Sequence, residues 1–474
     1  MQSMRRTKII ITIGPASETP EALRGLLAAG ADVVRLNFAH GTPDDHLRRL
    51  EVARRVGADL DRPLAVLLDL AGPKLRVGTL PGGSVTLREG DTVVLTTGTA
   101  DGTAGAIPVA YSYLAEDVRP GHRIFLQDGD LALVVKSVAP SRVSCTVECG
   151  GELRQHAGVN LPGVRLTVPA LTDDDLRHLD WAITHDVDFV ALSFVEAASD
   201  LDRARGLLAA RGGKAKLVAK IERRRALDRI DEIASAADGV MVARGDLAVE
   251  TSIEEVPVVQ KSIIGLCNHL GKPVITATQM LESMLTHARP TRAEAADVAN
   301  AVFDGTDALM LSGETAIGVH PLEAVATMAA IAQRAEGALP YDLLLRERSR
   351  ERATETGEAI ALAACEAAEA VGAAAIVAST DSGSTARRVS RFRPRRPIVA
   401  VTHTPSTYRQ LALVWGVRPV LVEPVADLDA LVARGVRAAV DLGVARPGEL
   451  IVVTAGFPVG RPGTTNFLKV VRIE

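Results

Sequence analysis

Lys216-Leu217-Val218-Ala219-Lys220-Ile221-Glu222 is followed, after an amphipathic interval, by Gly239-Val240-Met241-Val242-Ala243-Arg244-Gly245-Asp246. Each is a short, largely apolar run that turns polar at its C-terminal end, and the interval between them has helical character. A strand buried on both faces, a helix and a second such strand form the unit from which parallel sheets are built. Working outward, the same unit recurs in both directions. Strands are expected at Lys8–Ile13, Val33–Asn37, Ala65–Asp69, Phe189–Ser193, Lys216–Ile221, Gly239–Ala243, Pro273–Ala277 and Ala308–Leu311. Eight strands, each followed by a helix, suit a closed (β/α)8 barrel of about 250 residues.

From about Val77 to Ala157 the rhythm changes to short alternating segments such as Ser84-Val85-Thr86-Leu87 and Asp91-Thr92-Val93-Val94-Leu95-Thr96. Turn residues separate them, at Pro81-Gly82-Gly83, Glu89-Gly90-Asp91, Pro120-Gly121 and Asp128-Gly129. Closely spaced strands with turn signals imply a small β-barrel module inserted after strand three, on the side where barrel active sites lie. A lid is the natural reading. Beyond Pro340 the charged stretch Leu345–Arg352 reads as a solvated linker or helix. A second α/β pattern follows, with strands near Ala374–Ala378, Ile398–Val401, Val417–Leu421 and Leu450–Thr454, implying a separate doubly wound domain. The expected division is a catalytic barrel at 1–76 and 158–340, a β lid at 77–157 and a C-terminal α/β regulatory domain at 341–474.

Composition narrows the class of function. In 474 residues, 54 basic and 58 acidic side chains leave a net charge of −4, so no strong field recruits nucleic acid or anionic lipid. Aromatic residues make up only 3%, too few for a base-stacking platform. The apolar run after Lys8 is strand-length and ends at Gly14-Pro15, which reads as neither a leader nor a membrane span. Cys145, Cys149, Cys267 and Cys365 lack metal-finger spacing and read as reduced, mostly buried thiols of a cytoplasmic protein.

In a parallel barrel the working residues gather just past the C-terminal ends of strands. Here those positions are polar. Strand two ends Arg35-Leu36-Asn37-Phe38-Ala39-His40-Gly41, and strand three ends at Asp69 before Ala71-Gly72-Pro73-Lys74-Leu75-Arg76. Strand seven runs into Thr276-Ala277-Thr278-Gln279-Met280, and strand eight into Ser312-Gly313-Glu314-Thr315. Alternation puts Lys220 and Glu222 on one face. If that face is the barrel mouth, Glu222 and Asp246 converge from adjacent strands. Two protein oxygens, with the rest left to water and substrate, is a usual Mg²⁺ arrangement beside phosphate. Lys220 would add a mobile positive charge, and Arg35 a fork for phosphate or carboxylate.

These residues also carry a family resemblance. Thr7-Lys8-Ile9-Ile10-Ile11-Thr12-Ile13-Gly14-Pro15-Ala16-Ser17, the Arg35–Gly41 segment, Lys220-Ile221-Glu222, Met241–Leu247 and Ala277–Met284 resemble the corresponding segments of pyruvate kinases. So does the run from Arg289-Pro290-Thr291 through Asp297–Val302 to Leu311–Ala316, and the likeness spans nearly the whole chain. It implies that Glu222 and Asp246 hold the Mg²⁺ bridging phosphoenolpyruvate, with Mn²⁺ the alternative that oxygen ligands also accept. Gly245 and Asp246 would receive the substrate carboxylate at a helix start, and Lys220 would neutralise charge on the transferring phosphoryl. Arg35 would hold the phosphate, while Asn37, His40 and Arg76 would meet ADP or ATP. Thr278 would lie near the enolate face that takes a proton, with Ser312 and Glu314 weaker candidates for the relay. A homotetramer is implied as well.

Three departures matter. Many relatives hold K⁺ with hydroxyls beside the positions of Asn37 and Asp69, yet Ala39 and Leu70 remove those hydroxyls here. Lys74 stands where such relatives carry glutamate, and its ammonium can replace the ion's charge near Asp69, so K⁺ independence is expected. Ala157 stands where relatives place a lysine that reaches nucleotide phosphate. In the C-terminal domain, Ser379-Thr380-Asp381-Ser382-Gly383-Ser384-Thr385 leads into a helix. Ser382, Ser384 and Thr385 would cradle an effector phosphate, a sugar phosphate or AMP, helped by Gly460–Asn466. The basic run Arg387 to Arg396 would assist. The rival reading is another metal-dependent phosphoenolpyruvate or pyruvate barrel enzyme, a lyase or an aldolase.

Overall fold

The computed structural model describes residues 5–98, 106–350, 355–425, 427–458 and 464–474. Eight parallel strands close into a barrel: β1 Lys8–Thr12, β2 Val33–Asn37, β3 Ala65–Asp69, β4 Phe189–Leu192, β5 Lys216–Ile221, β6 Gly239–Ala243, β7 Val274–Ala277 and β8 Ala308–Leu311. Each pairs with its neighbours in sequence, and β8 returns to β1. The pleat sorts their side chains. Ile10, Val33, Leu67, Ala191, Val218, Met241, Ile275 and Met310 pack into the interior, while Ile9, Leu36, Leu68, Val190, Leu217 and Val240 face the helices outside. The inward parity carries on past the last apolar layer. It places Thr12, Arg35, Asp69, Ser193, Lys220 and Glu222 at the mouth.

Between β3 and β4 the chain builds the lid. Val159–Asn160, Arg123–Leu126, Leu131–Ala139, Arg142–Cys149, Thr92–Thr97 and Ala106–Val109 form a six-stranded sheet in that order. Ser84–Leu87 pairs separately with Gly151–Arg154. The lid has its own core, centred on Leu95, Ile107, Leu126, Leu133, Val143 and Leu153. It joins the barrel through two strands that pair with each other, with Val77 N–H donating to Ala157 O (2.9 Å) and Val159 N–H to Leu75 O (3.0 Å).

The C-terminal sheet runs Val417–Leu421, Ile398–Thr402, Ala375–Ser379, Leu450–Gly456 and Thr465–Arg472. Its first four strands are parallel, and the last is antiparallel to Leu450–Gly456. That fifth strand is an addition to the sequence-based expectation. Thr465 and Asn466 open it rather than closing a glycine-rich loop, and Gly460–Gly463 lie outside the described residues. The charged stretch after Pro340 is a helix, Tyr341–Ser349, whose Tyr341 is buried; Glu351 and Arg352 lie outside the described residues. The turn Leu411–Leu413 plugs the base of the barrel, with Ala412 and Leu413 packed among its interior residues. Among the described residues no helix is long and apolar enough to cross a membrane. Cys145, Cys267 and Cys365 are buried and Cys149 is exposed, all as free thiols.

Candidate active site

Lys220 is the hub of the mouth. Its ammonium lies 2.7 Å from Glu222 Oε1 and 3.2 Å from Asp69 Oδ1, and donates to Ser193 Oγ at 2.7 Å. Burial alone would lower its proton affinity, but Asp69 and then Glu222 outweigh it and hold Lys220 above the ordinary lysine range. Asp69 is treated reciprocally: burial pushes its carboxyl up, and Lys220 and Arg35 overcome that and hold it below the usual carboxylate range. Arg35 Nε donates to Asp69 Oδ2 (2.6 Å) and its Nη1 to Thr12 Oγ1 (3.0 Å). A buried pair is worth keeping only when its remaining valences are met. Here Ser193 passes the network on to Leu70 O (2.7 Å).

Glu222 shifts the opposite way from Asp69. Burial comes first and Asp246 adds to it, so its carboxyl sits above the ordinary range despite Lys220 and a 2.7 Å hydrogen bond from the Phe194 N–H. Two carboxylates that repel each other beside an open cavity are a donor set in want of a cation. Among the described residues no three His, Cys, Asp or Glu side chains gather as a metal-binding group. Such a carboxylate pair suits a hard divalent ion that keeps water and substrate oxygens in its remaining positions. The residues present fit such an ion.

Thr278 follows β7 with φ 68°, and Gln279 with φ 53°. A β-branched residue in the left-handed region is strained and persists only where its surroundings hold it. Arg244 holds it, donating to Thr278 O from Nη2 (2.6 Å) and Nε (3.2 Å) while pairing with Asp297 at 2.7 Å. The Thr278 hydroxyl donates to Ala277 O (2.7 Å) and accepts the Gly245 N–H (3.0 Å). The Gly245 N–H expected to meet a substrate carboxylate is thus already engaged, at the start of a short helix, Arg244–Glu250. Glu314 sends both carboxylate oxygens to backbone, accepting Leu281 N–H (3.2 Å) and Ser312 N–H (2.8 Å), and so braces the β7 and β8 loops. Ser312 Oγ is buried without a partner.

A cation cluster lies beside this acidic group. Burial lowers the proton affinity of His40 first, and Lys74, Arg76 and Arg35 lower it further, so all four converge. Lys74 itself is pulled down by burial and then by Lys220, against Asp246, Asp69 and Glu222, so its ammonium senses every carboxylate of the mouth. It makes no ion pair with Asp69, whose oxygens are taken by Arg35 and Lys220. The Lys74 loop runs close over β4 because Gly72 has φ 64° and no side chain; a Cβ there would meet Phe194 at 2.8 Å and Ser193 at 2.9 Å. Asn37 Oδ1 caps its own loop by accepting Ala39 N–H (3.2 Å), and Arg76 donates to His156 O (2.9 Å). Lys74, Arg76, Phe194, Asp246 and lid residues Gln127 and Asp128 line a cavity of about 620 Å³.

Sequence reasoning passed over Ser193, the Phe194 N–H and the grip of Arg244. The parity of β4 was the available signal for Ser193, two residues beyond inward-facing Ala191. In the C-terminal domain, Ser382 Oγ donates to Ser384 Oγ (3.2 Å), and the Thr385 hydroxyl is buried against Thr465 Oγ1 (2.8 Å). The basic run is largely spent on ion pairs, Arg388 with Glu355, Arg393 with Asp307 and Arg395 with Asp342. Half-buried Arg387 folds back onto Ser382 O (3.2 Å).

A family model described as pyruvate kinase, barrel domain, matches residues 4–325, and one described as pyruvate kinase, alpha/beta domain, matches residues 358–471. The chain is 46% identical over 469 residues to proteins named pyruvate kinase from Staphylococcus aureus strains MRSA252, USA300 and NCTC 8325. Each alignment covers 98% of this chain and 80% of the relative.

Proposed function

The chain belongs to the pyruvate kinase family of phosphotransferases, whose substrates are phosphoenolpyruvate and ADP, and from that premise we propose how its own residues do this chemistry. One observation carries the reading: a buried ammonium, that of Lys220, touches Asp69 and Glu222 while the cations of Arg35, Lys74 and Arg76 gather around an imidazole, His40, that they hold neutral. Arg35 and Lys220 hold the phosphoryl group between donor and acceptor, so negative charge developing on its oxygens meets fixed positive charge in a site shielded from water. Glu222 and Asp246 would hold Mg²⁺, which when bound supplies further positive charge to the substrate oxygens. Asp246 lies in the first turn of its helix, near where the substrate carboxylate would dock once Thr278 yields the Gly245 N–H. Arg244 fixes the Thr278 backbone, which presents the hydroxyl to the enolate face that is protonated after transfer.

His40, Arg76 and Asn37 would meet the nucleotide beneath the lid. Lys74, close enough to sense Asp69, Glu222 and Asp246, would supply the charge that K⁺ supplies elsewhere, giving a K⁺-independent enzyme. The loop of Ser382, Ser384 and Thr385 would take an effector phosphate, in a cytoplasmic homotetramer. The decisive assay follows pyruvate from phosphoenolpyruvate and Mg²⁺ with and without ADP. Pyruvate with stoichiometric ATP is expected only with ADP; ADP-independent pyruvate would point to a lyase or hydrolase and end this reading. Light scattering after size exclusion tests the tetramer, and loss of sugar-phosphate or AMP response in Ser382→Asp tests the effector loop.

A further inference from the structure

Arg223 follows Glu222 and leaves β5 on the opposite side of the chain. It is only 3% exposed. Its Nη2 donates to Val164 O (2.9 Å) and Leu161 O (3.4 Å), its Nη1 lies 3.1 Å from Glu196 Oε1, and its Nε lies 3.6 Å from Glu250 Oε1. Leu161 and Val164 belong to the lid core, and the turn between them passes through Gly163 at φ 70°. Glu250 ends the helix that begins Arg244-Gly245-Asp246, and the backbone groups of Arg224 and Gly163 oppose the burial that raises its proton affinity. One guanidinium therefore joins the lid's exit turn, the strand end that bears Glu222 and the helix that bears Asp246.

The grip has slack. Arg223 Nε, Glu196 Oε1 and Glu250 Oε2 are buried without a hydrogen-bond partner, although their ion pairs are in place. A buried charge pair at 3.6 Å gains by shortening, since unmet buried valences are costly. The exit turn rests on the same guanidinium through Val164 O and Leu161 O, so where Arg223 settles against Glu250 and Glu196 decides where that turn, and the lid core it carries, sits. We infer that Arg223 is a positioning residue, a latch at the lid hinge that sets the lid's posture over the nucleotide side of the site. This rests on the active-site reading above.

The test compares wild type, Arg223→Met, Arg223→Lys, Glu250→Gln and the Arg223→Met/Glu250→Gln pair, varying each substrate in turn and following hydrogen exchange at residues 161–164. The latch predicts that Arg223→Met raises KM for ADP about tenfold while KM for phosphoenolpyruvate moves about twofold or less. It also predicts faster exchange in the exit turn, partial recovery with lysine, and a double variant little worse than Arg223→Met alone. Two results would overturn it: both KM values rising while kcat falls in step with Tm, which marks a purely structural arginine, or no change in either KM with unchanged exchange. If wild type makes no pyruvate with ADP, the catalytic reading fails on its own, and exchange at 161–164 still reports whether Arg223 holds the lid.

Discussion

At the barrel mouth Lys220 is held above the usual lysine range, whereas at the barrel base Lys8 is pushed down to about 8. Burial does not separate them, for they are 9% and 8% exposed. Their partners do. Lys220 touches two carboxylates and a serine hydroxyl. Lys8 donates to the Val417 carbonyl (2.8 Å) across to the C-terminal domain, and Asp32, the carboxylate whose charge acts on it, is already bonded to Arg5 at 2.7 Å. Burial lowers Lys8 most, Asp32 opposes it, and Arg5, Arg418 and Arg62 add repulsion around a cavity of about 1030 Å³. The mouth keeps its cation charged and ready for anionic oxygens; the base confines a crowd of cations by docking a domain over them.

The comparison breaks most sharply at the mouth. Lys220→Met is expected to lower kcat about 10⁴-fold, roughly 5 kcal/mol of transition-state stabilisation, in steady-state turnover of folded protein. A loss under tenfold would mean that the ammonium is not part of the charge stabilisation. Glu222→Gln, which leaves Lys220 and Asp69 together, should raise the Mg²⁺ concentration for half-maximal turnover on the order of 100-fold, read by metal titration.

The base predicts a stability effect of opposite sign. The folded-state value of Lys8, about 8, lies below its ordinary 10.5. The unfolded chain therefore binds more protons between these values, so stability rises with pH across that window and is lost as pH falls through about 8. Removing the charge in Lys8→Met should stabilise the protein by roughly 2 kcal/mol at pH 7, after discounting the lost hydrogen bond, and flatten the rise above pH 8. Chemical denaturation at pH 7 and pH 9.5 measures both; a destabilised variant with an unchanged pH slope would contradict the charge-crowding account. The smallest effect is expected at the outer loop. Lys74→Glu should make turnover depend on K⁺ by a factor of about five, compared in K⁺ and tetramethylammonium salts. Equal rates in the two salts would separate Lys74 from the cation-replacing role.

Much of the barrel was legible because its signals are local. β2, β3, β5, β6 and β8 begin and end where their apolar runs do. The last strand, Thr465–Arg472, was missed because it is an antiparallel edge strand whose alternation, with Lys469 and Val470 exposed, resembles a solvated tail. Thr385 was read as a phosphate ligand by its position at a helix start, and that position could not show that Thr465, 80 residues further on, lies opposite its hydroxyl. Arg223 is the first of three successive arginines, and nothing in that run tells which guanidinium is buried under the lid.

By itself the sequence determined which side chains share a face at each strand end, since strand alternation has a period of two and needs no partner. That is why the sequence alone pairs Lys220 with Glu222. Barrel closure decided the rest: it set β3 and β5 on either side of β4, so that Asp69 meets Lys220 through a gap lined by Ser193. The proton affinities of these groups follow from neighbours some 150 residues away in the chain, brought together where water is excluded and each charge is felt by the next.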